Sequence, residues 1–300
     1  MSSPIVSIIA VCFNQSPWVR QTLDSIKAQT YSNIQLIIAD DGSADSSKQI
    51  IQQWIAENKN DAVFISHKKN IGLTKNINSA LPYIKGEYYQ VFGCDDIMMP
   101  NKIASQVEQL QKHPEAAIIY SDMILIDAEG IRYPETYYAK HSYKKPGSGW
   151  LYEDIIERSI ISAPAVLIST SVLQQIGNYN EKISAEDYDF FLRASKLFQF
   201  LYTDDVTVAY RVMNQTMSNN MPALKRFKDL FYVCISNYDT RKPYNEKFLK
   251  RLMFCTKNLY GVRYKYCSVY FLKAFFKTFH FAFIKYAAAS IPFLFTGNAK

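Results

Sequence analysis

No Cys-x-x-Cys pair occurs in this chain, and its five cysteines, at positions 12, 94, 234, 255 and 267, are too sparse and uneven for a secreted disulfide scaffold. Reduced thiols in a cytosolic compartment are expected. Gly-x-Gly-x-x-Gly and Gly-x-x-x-x-Gly-Lys-Ser/Thr are both missing, which argues against dinucleotide binding and P-loop chemistry. Internal repeats and low-complexity stretches are missing as well. Met1-Ser2-Ser3-Pro4 carries no basic segment leading into an apolar one, so no signal peptide is expected. Negative charge is scarce in one region only. Residues 221 to 300 hold 15 Lys+Arg against 3 Asp+Glu, a net of +12, whereas residues 1 to 220 hold 19 against 24, a net of −5.

What is present is a regular alternation. At 300 residues and 48% hydrophobic, the chain has material for one large α/β domain, alone or with an extension. Ile5 to Cys12 is a near-continuous apolar run, as in a strand buried on both faces, and Ser16-Pro17 then predicts an N-cap with proline in the first turn of a helix carrying Trp18, Val19, Leu23 and Ile26. Strands are predicted at Ile34 to Ala39, Ala62 to Ser66 and Tyr88 to Phe92, with helices at Asp45 to Ala56 and through Ile77 and Leu81. Such alternation builds a mostly parallel sheet covered by helices. A further helix carries Ile103, Val107 and Leu110, followed by a strand at Ala116 to Tyr120 and a hairpin turning at Ala128-Glu129-Gly130. Residues 133 to 152, with many tyrosines, Lys144-Lys145 and Pro146-Gly147-Ser148-Gly149 before Trp150, read as a surface loop or a lid over a site.

From Pro222 the alternation gives way to helical, aromatic, basic segments. A helix over Ser268 to Phe295 would place Lys273, Lys277 and His280 within an arc of about 60°. Its lysines argue against a spanning helix. They suit one lying in the headgroup region of an anionic membrane, the alternative being a helix packed on the main domain with its lysines in water.

Three acidic clusters stand out. Asp40-Asp41-Gly42-Ser43 joins a turn-permissive glycine to a capping serine, so that an aspartate sits just beyond a strand end, able to accept from a base N–H or ribose hydroxyls; ordinary turn chemistry is the competing explanation. Asp95-Asp96 follows another strand, where a hard cation could use one or two carboxylates plus diphosphate oxygens. Cys94 beside them has no base to activate it and reads as a small buried residue. Glu186-Asp187-Tyr188-Asp189 precedes an aromatic helix, so Asp187 is either a first-turn carboxylate stabilised by the helix dipole or a general base.

These segments resemble the inverting family-two glycosyltransferases of GT-A fold over roughly residues 4 to 218. The likeness rests on Val6-Ser7-Ile8-Ile9 with Phe13-Asn14, on Asp40-Asp41-Gly42-Ser43-Ala44-Asp45, and on Asn70-Ile71-Gly72-Leu73-Thr74-Lys75 with Gly86-Glu87-Tyr88. Further along come Asp95-Asp96, Ile176-Gly177-Asn178-Tyr179-Asn180-Glu181, Glu186 to Arg193, and Tyr210-Arg211. The resemblance implies an α/β, Rossmann-like GT-A domain at 1–221, with a nucleotide-sugar half at 1–96 and an acceptor half at 97–221, and a helical basic-aromatic extension at 222–300. It implies a nucleobase against Phe13, with Asp41 on the base and Lys75 near the nucleotide. Asp95 would meet the ribose or donor sugar, Asp96 would ligate Mn2+ or Mg2+, and Asp187 would be the catalytic base. Glu186, Trp150 and Arg211 would belong to the acceptor side. One departure is Met213, where many relatives carry a histidine thought to help bind metal or diphosphate; a thioether is a poor ligand for either cation, and Asn214 is the nearby group that could compensate.

The function implied is transfer of a sugar from a nucleotide-sugar, by expectation a UDP-sugar, to a hydroxyl of a saccharide or lipid-linked acceptor in bacterial surface polysaccharide or glycolipid synthesis. A polyprenyl-phosphate sugar synthase and a non-catalytic nucleotide-binding module are the alternatives. Expected partners are the donor, the acceptor and an anionic membrane, on the inner face of the cytoplasmic membrane, with no nucleic acid; a homo-oligomer stays open.

Overall fold

The computed structural model describes residues 3–59, 61–141, 147–213 and 222–297. Lys144-Lys145 and Pro146 of the expected lid, and Asn214, lie outside the described residues. Along the chain, β1 (Val6–Cys12), α1 (Val19–Lys27), β2 (Ile34–Asp40), α2 (Ser47–Glu57), β3 (Val63–Ser66), α3 (Leu73–Ala80) and β4 (Tyr88–Gly93) follow the predicted alternation. Then come β5 (Ile97–Met98), α4 (Lys102–Lys112), β6 (Ala116–Ile126), β7 (Arg132–Thr136) and α5 (Tyr137–Lys140). After them stand α6 (Tyr152–Glu157), β8 (Val166–Ser169), α7 (Thr170–Ile176), α8 (Glu186–Ala194) and β9 (Gln199–Arg211). The C-terminal helices are α9 (Ala223–Ser236), α10 (Tyr244–Gly261), α11 (Cys267–Thr278), α12 (Ala282–Ala289) and α13 (Phe293–Thr296).

The chain divides into two compact units. The first holds Met1–Leu151, Ile160–Glu181 and Ala194–Met213. Its sheet runs β3-β2-β1-β4-β8-β6-β9-β5, with β7 paired to β6. Strands β1 to β4 are mutually parallel, β6 and β9 run with them, and β5, β7 and β8 run against their neighbours. The expected Rossmann-like, mostly parallel sheet is therefore found. Every residue of β1 is buried, as its unbroken apolar run requires of a strand covered on both faces. Val19, Leu23 and Ile26 of α1 pack into the same core, with Ile51 and Trp54 of α2.

Register positions the site. Cys12 of β1 lies opposite Asp40 of β2, and Val11 lies opposite Gly93 of β4, so the three strands end at one level. From β1 the chain order proceeds outward to β2 and β3 on one side and to β4 on the other. Open α/β sheets bind ligands at such a switch point, beyond the carboxyl ends of the strands.

The second unit holds Tyr152–Ser159, Lys182–Arg193 and Asn214–Lys300. The extension expected at 222–300 thus shares a unit with α6 and most of α8. Lys247 of α10 bridges Glu157 at 2.6 Å and Glu153 at 3.3 Å on α6, and Asn237 at the end of α9 donates to Asp189 of α8 at 3.0 Å.

Two local expectations are corrected. Ser16 does not cap α1, whose N-cap is Trp18 without a side-chain bond; the Ser16 N–H is drawn instead to Asp45 Oδ2 at 2.9 Å. The helix predicted over 268–295 breaks at Phe279, which takes a left-handed φ of 53° and closes α11 by donating its N–H to the Phe275 carbonyl. Lys273 and Lys277 consequently lie on α11, His280 in the turn and Lys285 on α12. Among the described residues no helix is long and apolar enough to cross a membrane.

Lys102, at the start of α4, is 1% exposed, and its ammonium meets only Gln106 Oε1 at 2.6 Å and the Val166 carbonyl at 3.1 Å. Burial pushes its pKa well below the ordinary lysine range. The folded chain then binds fewer protons than the unfolded one, so stability rises with pH between that lowered value and the ordinary one. Relative to Lys102→Met, the unfolding free energy of the wild type should climb by up to about 1.4 kcal/mol per pH unit in that window. Parallel stability curves for the two proteins from pH 7 to 10 would contradict this.

Candidate active site

At the carboxyl ends of β1 and β2 a set of backbone-to-side-chain bonds fixes the two loops against each other. Asn14, with a left-handed φ of 52°, donates its N–H to Ser43 Oγ and accepts from the Ala44 N–H through Oδ1. The N–H groups of Gln15 and Ser16 go to Ser47 Oγ and Asp45 Oδ2, both at 2.9 Å. Burial would raise the Asp45 carboxyl, yet bonds from Ser47 and Ser16 outweigh it and hold the group below the usual carboxylate range. Phe13 leads into this pinned loop with 44% of its surface exposed, a ring available for stacking on a planar base.

Asp41 is 3% exposed and spends its carboxylate on the next loop. Its Oδ1 accepts the Ile71 N–H at 2.7 Å and its Oδ2 the Gly72 N–H at 3.0 Å. Gly42 permits this closeness: its φ is +68°, and a Cβ there would lie 2.4 Å from the Lys69 carbonyl carbon. Asp41 therefore builds the turn from which α3 starts, and α3 presents Lys75 on its exposed side. Any contact with a base must use the lone pairs those two amides leave free.

The second carboxylate pair sits at the end of β4. Asp96 is 3% exposed, and its Oδ1 accepts the Arg211 N–H at 2.8 Å. A Cβ placed on Gly93 would fall 2.6 Å from Asp95 Oδ1 and 3.9 Å from Asp96 Oδ2, so both carboxylates border the space beside this glycine. Burial raises the pKa of Asp95, and burial followed by the Asp95 charge raises that of Asp96 well above the ordinary range, while Arg211 pulls both down. Gln15 hydrogen-bonds Asp95, and the Gln15 Oε1 is buried with no partner. Sequence reading passed over Gln15 and Gly93, although a glycine just ahead of an acidic pair is a legible sign of crowding.

Arg211, expected on the acceptor side, is 1% exposed and already engaged. Its Nε donates to the Asp95 carbonyl, Nη1 to the carbonyls of Asp127 and Ala128, and Nη2 to Gln21 Oε1, each at 2.8 Å, and it lies 5.6 Å from the Trp18 ring centre. It joins the loop after β4 to the β6–β7 turn. Trp150 is 62% exposed beside the two-way backbone bridge of Gly149 with Phe200, free on the surface as an acceptor-side ring would be.

In the second unit, Glu186 and Asp187 occupy the first turn of α8. Asp187 Oδ1 accepts the Tyr188 N–H at 2.7 Å, a bond of the kind the helix-start reading anticipates. Burial raises the Asp187 pKa, and burial with the Asp187 and Asp229 charges pushes Glu186 up to about 8.

The donor set of Asp95 and Asp96 is oxygen only, as Mg2+ or Mn2+ prefers, and both carboxylates border the space beside Gly93. Among the described residues no group of three or more His, Cys, Asp or Glu side chains is placed to hold a metal ion. A carboxylate pair completed by diphosphate and water is the usual Mg2+ arrangement, so the residues fit the group.

A mostly parallel sheet with carboxylates at the ends of β2 and β4 defines a protein of GT-A architecture. The sequence profile of Glycosyl transferase family 2 matches residues 7–176, more than half of the chain, and the chain belongs to that family. It is 28% identical over 240 residues to an uncharacterized glycosyltransferase of Rickettsia prowazekii, covering 76% of this chain and 71% of that protein. With an uncharacterized glycosyltransferase of Rickettsia felis it shares 29% identity over 226 residues, covering 73% of this chain but only 36% of the relative's length. Among solved structures, S. aureus TarS 1-349 in complex with UDP-GlcNAc is similar at a TM-score of 0.72 and 19% identity, covering 96% of this chain and 88% of that one. The mannosyltransferase PcManGT of Pyrobaculum calidifontis, in complex with GDP-Man and Mn2+, is similar at 0.63 and 13%, covering 98% and 86%.

Because Asp41 satisfies two backbone N–H groups, Asp41→Ala should lower the unfolding free energy by about 1–3 kcal/mol in urea titration. An unchanged midpoint and slope would reduce the turn bonds to bystanders.

Proposed function

We propose that this chain is an inverting, metal-dependent glycosyltransferase that moves a sugar from a UDP-sugar to a hydroxyl of a saccharide or lipid-linked acceptor, at the inner face of the cytoplasmic membrane. The observation that carries the reading is the setting of Asp95 and Asp96 beside Gly93, next to the switch point between β1 and β4. The family match and the nucleotide-sugar complexes of TarS and PcManGT support it.

Phe13 stacks on the nucleobase, Asp41 accepts from it and Lys75 lies near the nucleotide. Asp95 holds the ribose or donor sugar, and Asp96 is the metal ligand. A divalent cation held there would neutralise the charge that builds on the leaving diphosphate. Asp187 takes the proton of the acceptor hydroxyl as that oxygen forms its bond to the anomeric carbon; the bond from that carbon to the phosphate oxygen breaks with inversion, and the nucleoside diphosphate departs. Trp150 and Glu186 belong to the acceptor side. A base must be ionised to act, and Asp187 has a raised pKa. The acid limb of kcat/KM should therefore lie above the ordinary carboxylate range.

Nucleoside diphosphate released from a panel of nucleotide sugars is the direct assay. UDP-sugars should be turned over, with activity lost in EDTA and in Asp96→Ala. Full turnover in EDTA would sink the metal assignment. General-base catalysis typically contributes about 10²- to 10⁴-fold, so Asp187→Asn should lose about that much transfer with donor affinity and melting temperature little changed. Normal transfer by that variant would leave Asp187 only its place at the start of α8.

A further inference from the structure

The second unit ends in a surface that donor chemistry does not account for. From Lys247 to Lys300 the sequence contains ten Lys and Arg and not one Asp or Glu. At the turn between α11 and α12, Phe276, Phe279 and Phe281 are 67%, 72% and 77% exposed. All three rings gather around Phe275, at centroid distances of 5.4, 6.1 and 5.7 Å, so they form one protruding aromatic cluster rather than scattered side chains. By that turn, α10, His280 and Phe283 of α12 line an open groove of about 420 Å³, with Phe254 and Phe283 among its apolar walls and Lys250 and Lys257 as its cations. No carboxylate lines that groove. Within the groove, Phe283 is fully buried and lies 5.9 Å from the ring of His280, whose chain neighbours are Phe279 and Phe281 of the cluster.

We propose that this face docks on an anionic lipid bilayer, with Phe276, Phe279 and Phe281 entering the acyl boundary and Lys250, Lys257 and His280 meeting lipid phosphates. It rests on the membrane location in the reading above and not on sugar transfer. Apolar side chains standing out of a basic surface match a bilayer, which offers hydrocarbon behind a layer of phosphates. A second copy of this chain is a poor occupant, because a self-complementary contact through this groove would set lysine against lysine, and the lining holds no carboxylate to relieve it. The break at Phe279 brings Phe281 into the cluster: a continuous helix would keep Phe276 and Phe279 on one face but carry Phe281 about 140° away from Phe276, whereas past the left-handed turn its ring lies 5.7 Å from Phe275.

The full chain is tested by flotation with vesicles of phosphatidylcholine alone and of phosphatidylcholine with phosphatidylglycerol. Binding is expected only to the second, and to fall with salt. Removing each cation should weaken partitioning about fivefold, so Lys250→Gln with Lys257→Gln should weaken it roughly 25-fold. Phe276→Ser, Phe279→Ser and Phe281→Ser together change only exposed positions and should abolish binding at physiological salt. Equal binding to both vesicle types, wild-type binding by the triple variant, or displacement by inorganic phosphate at matched ionic strength would overturn the proposal. So would a phenylalanine-dependent dimer in size-exclusion chromatography. UDP release in the absence of lipid is measured on the same variants and should be unchanged, so a failure of docking and a failure of the transfer reading are seen separately.

Discussion

Two like charges confined beside one glycine are the constraint on which the first unit depends. Asp95 and Asp96 are consecutive, poorly solvated and set beside Gly93, an arrangement that raises the cost of ionising both. Arg211, buried to 1% exposure, lies against both. Arg211 gives its backbone N–H to one carboxylate and its Nε to the carbonyl of the other, while its remaining donors anchor the β6–β7 turn and Gln21. Arg211 offsets only part of the cost of burial, which with the Asp95 charge on Asp96 leaves both carboxyls shifted upward. A divalent cation held there would lower that cost by offsetting the negative charge.

The surroundings serve that pair. Parallel registers bring β1, β2 and β4 to one level, and the bonds among Asn14, Ser43, Asp45 and Ser47 lock the loops leaving β1 and β2. Asp41 then extends the same logic to the start of α3 by holding the Ile71 and Gly72 amides. An aspartate can be both structural and ligand-facing, because a carboxylate offers more lone pairs than two amides consume.

Much of this was legible in the sequence. Buried parallel strands announce themselves as unbroken apolar runs, and acidic doublets follow two of them, so β1 to β4 and the place of Asp41, Asp95 and Asp96 at strand ends could be read directly. What could not be read depends on long-range partners. Ser16 has the composition of a cap but is claimed by Asp45, and nothing local to Arg211 announces its partners, from Gln21 to Ala128. The break at Phe279 escaped because a left-handed phenylalanine has no local signature, unlike glycine or asparagine in the same role. The aromatic tip follows from that break and was hidden with it.

The central claim is that the Asp95-Asp96 pair exists to hold a cation together with a nucleoside diphosphate. Titration calorimetry of UDP into the full chain, with and without Mn2+, tests it most directly when repeated on Asp96→Asn. The account predicts that Mn2+ tightens UDP binding by the wild type and leaves binding by Asp96→Asn unchanged. Equal tightening in both proteins, or UDP affinity in the wild type that ignores Mn2+, would contradict it.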